Sequence, residues 1–289
     1  GVNMTSVPAL PEGISLIHNT AGKAFVQVEH PSVTARIALE GAHLVSCIPS
    51  GQADLLWMSP SDPQAPGGVL RGGVPLCWPW FGNTRTGPAH GIARRSLWQL
   101  TGAEREGQSV RLKLELPAAT QKAALPEESW ALSLELHLGA SLQMTLTSRN
   151  TGQGPQLLSQ ALHSYLPVAE ITKVRVTGLD GATYLDQLTS SHQVQQGDLT
   201  IEREVDRIYL QDSQPIYLSD GQRTLEICRS GSASVVLWNP WQDKARKLDN
   251  FPADGYRTML CIEAANAAAD ARTLQPGEEH TLSCSIRQI

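Results

Sequence analysis

Two titratable side chains stand in apolar surroundings, where they could take part in proton transfer. Glu263 lies within the otherwise apolar run 259–265, and His163 lies between Leu162 and Tyr165. A carboxylate buried without a partner is costly or raises its pKa, which makes Glu263 a candidate general base. The ordinary imidazole pKa of about 6.5 suits His163 to proton exchange near neutral pH. The sequence alone leaves two structural alternatives open: Glu263 could be a strand-end residue that faces solvent or bonds a nearby arginine, and His163 could be an inert, hydrogen-bonded core histidine.

The segment 71–82, RGGVPLCWPWFG, is the most unusual stretch of the chain. It holds three aromatic residues, two prolines and three glycines, and His90 and Arg94 follow it closely. This density predicts an irregular backbone and an aromatic-walled pocket, with its tryptophans in the wall and charged groups at the rim. Arg71 and Arg94 could bind a phosphate through their planar guanidinium groups, or pair with loop carboxylates. Asp206 could be an ion-pair partner or an acceptor for sugar hydroxyls.

The elements that must position these residues are predicted from hydrophobic periodicity. Leucines alternate with polar residues in 111–116 and in 132–138, and a similar alternation follows in 142–146. Alternation of this kind is typical of half-buried antiparallel strands, and Gly139-Ala140 is a plausible turn between the last two. Residues 117–128 are bracketed by prolines and are predicted to form a loop.

The domain organisation follows from what is absent between these strands. The sequence has no fixed-period repeat and no low-complexity linker, and convincing helices are scarce. We therefore predict an all-β chain with one large antiparallel β-sandwich domain over residues 4–289. Residues 1–3, which precede Met4, are interpreted as an expression remnant.

Composition narrows the class of protein. The net charge of -5 gives no general attraction to nucleic acid or to anionic membranes, and no apolar run approaches the length of a membrane span, about 20 residues. The five cysteines are scattered without a C-x-x-C pair, and the N-terminus has no signal-peptide pattern. The prediction is a cytoplasmic protein with reduced thiols. Because the histidines lack ligand spacing and the acidic residues are not clustered, no metal site is predicted.

Six motifs in a fixed order resemble a known family. The segments RGGVPLCWPWFG, PAHGIAR, LHSYL, VDRIY, VVLWNPW and CIEAAN, spread over residues 71–266, are similar to those of the glucose-6-phosphate 1-epimerases. These are hexose-6-phosphate mutarotases of the aldose 1-epimerase superfamily. The resemblance implies the galactose mutarotase-like fold, a large antiparallel β-supersandwich. It also implies interconversion of the α and β anomers of D-glucose 6-phosphate and related hexose 6-phosphates, without a cofactor or metal.

The resemblance also implies roles for individual residues. Glu263 matches the catalytic base and His163 the catalytic acid. Four further residues match substrate-binding positions, the two arginines being associated with the phosphate: Arg71, His90, Arg94 and Asp206. The expected partner is a small sugar phosphate bound by a monomer.

Three other functions remain open from the sequence. An aldose 1-epimerase acting on unphosphorylated hexoses is the nearest, and the two arginines argue against it. A glycoside hydrolase could use Asp206 and Glu263 as its pair of carboxyl groups. A sugar-binding protein without catalysis could share the same fold, because fold does not fix function.

Overall fold

The computed structural model describes residues 9–60, 65–212 and 214–289, so the interpretation of residues 1–3 lies outside the described residues. The described residues form 22 β-strands, two short α-helices and four 3₁₀ helices. The strands, in chain order, are β1 (Ile14–His18), β2 (Ala24–His30), β3 (Val33–Ala38), β4 (His43–Pro49), β5 (Leu76–Cys77), β6 (Gln99–Glu106), β7 (Ser109–Leu116), β8 (Trp130–Leu138), β9 (Leu142–Asn150), β10 (Gln156–Leu158), β11 (Gln160–Leu162), β12 (Tyr165–Pro167), β13 (Arg175–Thr177), β14 (Thr183–Asp186), β15 (Ser191–Val194), β16 (Val205–Leu210), β17 (Ile216–Ser219), β18 (Thr224–Ser230), β19 (Ser234–Asn239), β20 (Met259–Asn266), β21 (Arg272–Leu274) and β22 (Glu279–Gln288). The helices are α1 (Ala118–Ala124), α2 (Trp241–Ala245) and the 3₁₀ helices Ala93–Arg95, Ile171–Lys173, Gly255–Thr258 and Ala268–Asp270.

The strands are arranged in three large sheets and one small one, and the strands pair antiparallel. The N-terminal sheet has the order β1-β2-β3-β4. The pocket sheet has the order β15-β14-β16-β19-β20-β11-β5, with β12 also paired to β20. The long sheet has the order β13-β17-β18-β22-β9-β8-β7-β6, and β10 pairs with β21.

Hydrophobic alternation explains the long sheet. In β7, β8 and β9 every second residue is buried, and the turn at Gly139-Ala140 joins β8 to β9 through the pair Leu138–Leu142. Each fully buried leucine stabilises the fold by about 1.5–3 kcal/mol, which outweighs the modest strand propensity of leucine. The predicted strands and turn are confirmed here.

A single apolar core connects the three large sheets. It includes Val26 of the N-terminal sheet, Leu134 of the long sheet and Ile262 of the pocket sheet, all fully buried. Sheets that share a core in this way pack as layers, so the predicted antiparallel β-sandwich is confirmed.

The prediction of a loop over residues 117–128 is wrong, because α1 occupies Ala118–Ala124. Pro117 stands just before the first helical residue, where its missing N–H costs nothing, and alanine, glutamine and lysine favour the helix. The Gln121 amide nitrogen donates to the carbonyls of Leu125 and Glu128, and its side-chain oxygen accepts from the Trp130 N–H. These bonds fasten the helix to β8.

The second helix, α2, brings a cation towards the pocket sheet. The Asn239 side-chain oxygen accepts the Trp241 N–H at 2.8 Å and fixes the start of the helix. Lys244 then lines the same cavity as Asp206. No helix in the described part of the chain is long and apolar enough to cross a membrane.

Candidate active site

Strand β20 carries the Glu263 carboxyl group at the centre of the pocket sheet. Every residue of β20 is buried, because both faces of the strand are covered. Successive side chains point to opposite faces, so Ile262 joins the main core while Glu263 lies on the other face. Val236 of β19 is directly opposite Glu263, and Trp238 is directly opposite Asp206 of β16.

His163 is placed opposite Glu263 by strand register. Both β11 and β12 pair with β20, through Leu162–Ala264 and Tyr165–Cys261, and the position between these pairs that faces Glu263 is His163. The His163 Nε2 and Glu263 Oε2 atoms are 3.7 Å apart, and the two side chains are 12% and 1% exposed. The imidazole stacks on Tyr165 at a centroid distance of 4.9 Å.

Burial opposes charge on both members of the pair. It raises the pKa of Glu263 well above its usual range, and the negative charge of Asp206 adds to the shift. It lowers the pKa of His163 well below its usual range, with His90 and Arg94 adding to the shift. Both shifts favour the uncharged forms, and because the two groups lie close together, their titration belongs to the pair.

The pair and the neighbouring Arg94 carry buried polar atoms without hydrogen-bond partners. Within the described structure, Glu263 Oε1, His163 Nδ1 and Arg94 Nε are shielded from solvent and have no hydrogen-bond partner. Buried polar atoms in folded proteins are nearly always hydrogen-bonded. The arrangement fits a site whose hydrogen bonds are completed by a polar ligand.

The six site residues predicted from the sequence line one cavity of about 490 Å³: Arg71, His90, Arg94, His163, Asp206 and Glu263. Another described cavity, of about 760 Å³ beside Arg85, is larger but is lined by none of these six residues. The candidate site is therefore identified by the residues that line the cavity and not by the volume of the cavity.

Backbone carbonyls orient both arginines. Arg71 Nε donates to the Asp249 carbonyl at 2.9 Å, and Arg94 Nη2 donates to the Ala89 carbonyl at 3.0 Å. Both guanidinium groups are therefore anchored at the cavity, and a guanidinium group can bind an anion through several planar donors at once.

His90 is held as a neutral ring with a defined tautomer. The Gly82 N–H donates to His90 Nδ1 at 2.8 Å, so the proton of the neutral ring lies on Nε2. Burial lowers the pKa of His90 to about 4, and the charge of Arg94 adds to the shift. His90 thus offers the cavity a hydrogen-bond donor, 5.7 Å from the His163 ring between centroids.

We expect ¹⁵N NMR spectra at pH 6 to show His90 neutral with its proton on Nε2, because its pKa of about 4 lies below that pH. Protonation should occur only as the pH falls towards 4, when Nδ1 stops accepting the Gly82 N–H. The exposed His192 provides an internal reference in the same spectra. A His90 midpoint near the ordinary value of about 6.5 would contradict the assignment.

Asp206 is an acceptor in the cavity and is not paired with its neighbour Arg207. The Gln187 amide donates to Asp206 Oδ1 at 2.7 Å. Arg207 points to the other face of β16, where it donates to the Tyr209 hydroxyl at 3.0 Å. Burial raises the pKa of Asp206, partly opposed by the Gln187 hydrogen bond.

The aromatic wall differs from the one expected. Phe81, Tyr165 and Trp238 line the cavity, whereas Trp78 and Trp80 lie in the main core. Trp78 Nε1 donates to the buried Ser148 hydroxyl, which explains how an indole is accommodated there. Of the three aromatic residues of 71–82, only Phe81 lines the cavity, and the two tryptophans, which were predicted to build the wall without having to touch the sugar, pack in the main core.

Sequence reasoning missed several residues of the cavity lining, among them Gln187, Trp238 and Lys244. Trp238 lies within the motif VVLWNPW, which could have indicated it. Gln187 and Lys244 have no comparable signal, because they are ordinary polar residues in unremarkable local sequence.

The fold brings together three side chains of metal-binding type, a grouping that their spacing in the sequence did not indicate. The ligand atoms of His163, Cys261 and Glu263 lie within 4.8 Å of one another. Burial raises the pKa of the Cys261 thiol well above its usual range, and the charge of Glu263 adds to the shift, so the thiol stays protonated. A protonated thiol is a poor metal ligand, and the absence of a metal from the reaction stays a prediction.

Solved structures share this architecture. The protein is similar to a provisionally named mutarotase from Salmonella typhimurium, with a TM-score of 0.88, 31% identity, and coverage of 98% of this chain and 96% of that one. It is also similar to the galactose mutarotase related enzyme from Lactobacillus acidophilus, with a TM-score of 0.68, 12% identity and coverage of 92% and 97%. The predicted galactose mutarotase-like β-supersandwich is confirmed.

The chain belongs to the aldose 1-epimerase family, whose sequence model matches residues 25–287. It is also 32% identical over 268 residues to a protein of Escherichia coli (strain K12) provisionally named glucose-6-phosphate 1-epimerase. That match covers 91% of this chain and 89% of the relative. The family resemblance inferred from the six motifs is confirmed.

Proposed function

We propose that this protein interconverts the α and β anomers of D-glucose 6-phosphate and related hexose 6-phosphates. The observation that carries the proposal is a buried Glu263–His163 pair facing a cavity that also holds Arg71 and Arg94. The pair supplies proton transfer in both directions, and the arginines supply recognition of a phosphate. The names of the relatives support the same activity.

The proposed reaction opens and recloses the sugar ring. The step starts from the charged form of the pair, in which the Glu263 carboxylate takes the proton of the anomeric hydroxyl while the protonated His163 gives its proton to the ring oxygen. The C1–O5 bond breaks, its electron pair stays on O5, and O1 forms the aldehyde double bond to C1. Rotation about C1–C2 and the reverse proton transfers then close the ring on the other face.

The buried surroundings suit this sequence of steps. Ring opening turns the charged pair into a neutral carboxylic acid and a neutral imidazole. Burial favours the uncharged forms of both groups, so it stabilises the pair at the open-chain stage. Well-placed acid and base groups each accelerate proton transfer by about 10²–10⁴-fold. In this proposal Asp206 and the Nε2–H of His90 hold sugar hydroxyls in place.

The proposal extends to the cellular setting. The five cysteines are all free thiols and four of them are buried, as is usual in a reducing compartment. We place the protein in the cytoplasm, acting as a monomer on a free sugar phosphate.

Anomer-exchange NMR tests the proposed reaction. Glucose, galactose and mannose 6-phosphates should exchange anomers faster with the protein than in a protein-free buffer of low concentration, with the free sugars compared alongside. Exchange that stays at the buffer rate for every 6-phosphate would refute the activity, and faster exchange of free sugars alone would favour an unphosphorylated substrate. Release of reducing sugar from glycosides would instead indicate a hydrolase.

We expect Arg71→Ala and Arg94→Ala each to raise the KM for glucose 6-phosphate by about 10–100-fold, the worth of one charge-assisted interaction. The KM for free glucose should change little, because the arginines bind a group that glucose lacks. Steady-state anomer exchange on both sugars measures this. Arg95→Ala is the matched control, since Arg95 is exposed in the same 3₁₀ helix as Arg94. An unchanged preference for glucose 6-phosphate in both variants would overturn the assignment.

A further inference from the structure

The N-terminal sheet contacts both arginine-bearing segments, one through a turn and the other through the strand that follows it. This β3–β4 turn, residues 39–42, is followed at once by His43, the first residue of β4. Neither the turn nor His43 lines the candidate cavity. Their contacts are with backbone beside Arg71 and Arg94, so they can influence the cavity by positioning these two residues.

The turn packs tightly against the backbone of Arg94. Gly41 has a φ of +80°, and a Cβ atom there would lie 2.7 Å from the Arg94 carbonyl oxygen. The Gly41 N–H donates to the Ser96 carbonyl at 2.7 Å, and the Trp98 N–H donates to the Leu39 carbonyl at 3.0 Å. The turn therefore fixes the short helix that carries Arg94.

His43 fixes the backbone beside Arg71. Its Nε2 donates to the Gly72 carbonyl at 2.6 Å, and the ring is 4% exposed. Gly73 has a φ of +59°, and a Cβ atom there would lie 2.2 Å from the Leu44 carbonyl oxygen and 3.1 Å from His43 Nε2. The segment that carries Arg71 thus lies against β4 with no room for a side chain.

In the hydrogen bond between His43 and Gly72, the ring N–H is the donor and the carbonyl is the acceptor. Burial lowers the pKa of His43 to about 4, with Lys23 and Arg94 adding to the shift against the Gly72 hydrogen bond. The ring is neutral near pH 7, and because Nε2 faces a carbonyl, its proton lies on Nε2. Loss of this donor would remove one of the contacts that hold the backbone beside Arg71, where the Ser59 N–H also donates to the Arg71 carbonyl at 2.9 Å and the Gly73 N–H to the Trp57 carbonyl at 2.8 Å.

We infer that His43 is a positioning residue for the phosphate of the substrate, because it holds Arg71 at a fixed separation from Arg94. The inference rests on the proposed function for the identity of the anion. Phosphate recognition depends on the geometry of several donors at once, so a small displacement of one arginine weakens binding strongly. His43 does this without touching the substrate.

The test compares His43→Leu with His43→Gln. Leucine removes the donor, and we expect the KM for glucose 6-phosphate to rise about tenfold while kcat and the KM for free glucose stay within about twofold. Glutamine places an amide N–H where Nε2 stands, so it should restore the KM. An unchanged KM in His43→Leu, or equal rises for both sugars, would overturn the inference.

Two further measurements separate positioning from stability and from catalysis. His30→Leu is the matched control, because His30 is also buried in the N-terminal sheet but hydrogen-bonds locally to Ser32. His30→Leu should have a melting temperature similar to that of His43→Leu but keep the wild-type KM for glucose 6-phosphate. Calorimetry with inorganic phosphate tests the inference without measuring catalysis. We expect phosphate to bind about tenfold more weakly to His43→Leu than to the wild type. Equal phosphate affinity in the two proteins would overturn it even if the proposed reaction holds.

Discussion

Replacing Glu263 by glutamine is expected to lower kcat for anomer exchange by about 10³-fold or more, since a positioned base is worth about 10²–10⁴-fold. The amide has the shape of the carboxyl group but cannot take the proton of the anomeric hydroxyl. The fold should survive, because the glutamine side chain would fill the same buried volume without an ionisable group. Exchange NMR measures the loss, and thermal unfolding checks the fold.

The comparison for this variant is Glu226→Gln on the long sheet, outside the lining of the cavity, where Glu226 bonds to Arg287. That variant should keep wild-type turnover. If Glu263→Gln exchanged anomers within about tenfold of the wild type, Glu263 would not be the base, since an amide cannot supply the usual contribution of a general base.

The second large effect is expected for His163→Gln, which should lower kcat by about 10²–10³-fold. The glutamine amide keeps a hydrogen-bond donor near the position of Nε2 but cannot release a proton to the ring oxygen. Because Glu263 and His163 lie 3.7 Å apart and act in the same proposed proton-transfer step, the double variant should lose little more than the worse single variant. A double-mutant cycle on kcat measures this coupling.

His90→Gln provides the contrast, because His90 is assigned only as a hydrogen-bond donor. The kcat of His90→Gln should fall by about tenfold, which is the effect expected from losing one neutral hydrogen bond. For the Glu263–His163 cycle, if the kcat losses of Glu263→Gln and His163→Gln simply multiply in the double variant, the two residues act independently. A loss in His90→Gln as large as in His163→Gln would give His90 a proton-transfer role.

The fold class was predictable because the long sheet has one buried face. Its leucines at 132–138 and 142–146 alternate, and the structure pairs them across the predicted turn. The 118–124 helix was not predictable from its flanking prolines, since they delimit the helix rather than interrupt it. Gln121 ties the helix to β8 by accepting the backbone N–H of Trp130, a contact that is visible only in three dimensions.

The site residues were identified by residue type and motif, but their proximity was not. Glu263 was identified because it is the charged residue in the otherwise apolar run 259–265. The structure shows why this is exceptional, since β20 is buried on both faces. Its pairing with His163 depends on which strands are neighbours, and 100 residues separate the two in sequence. The link from His43 to Gly72 spans 29 positions and involves a backbone carbonyl, which no side-chain pattern could indicate.

The register that places His163 opposite Glu263 has a consequence for folding studies. A slip of one residue between β20 and its β11–β12 neighbours would turn His163 and Glu263 to opposite faces of the sheet, while hydrogen bonding between the strands would persist. Circular dichroism would register such a sheet as folded. Anomer exchange would not recover until the native alignment formed, so enzymatic activity offers a direct readout of strand alignment during refolding.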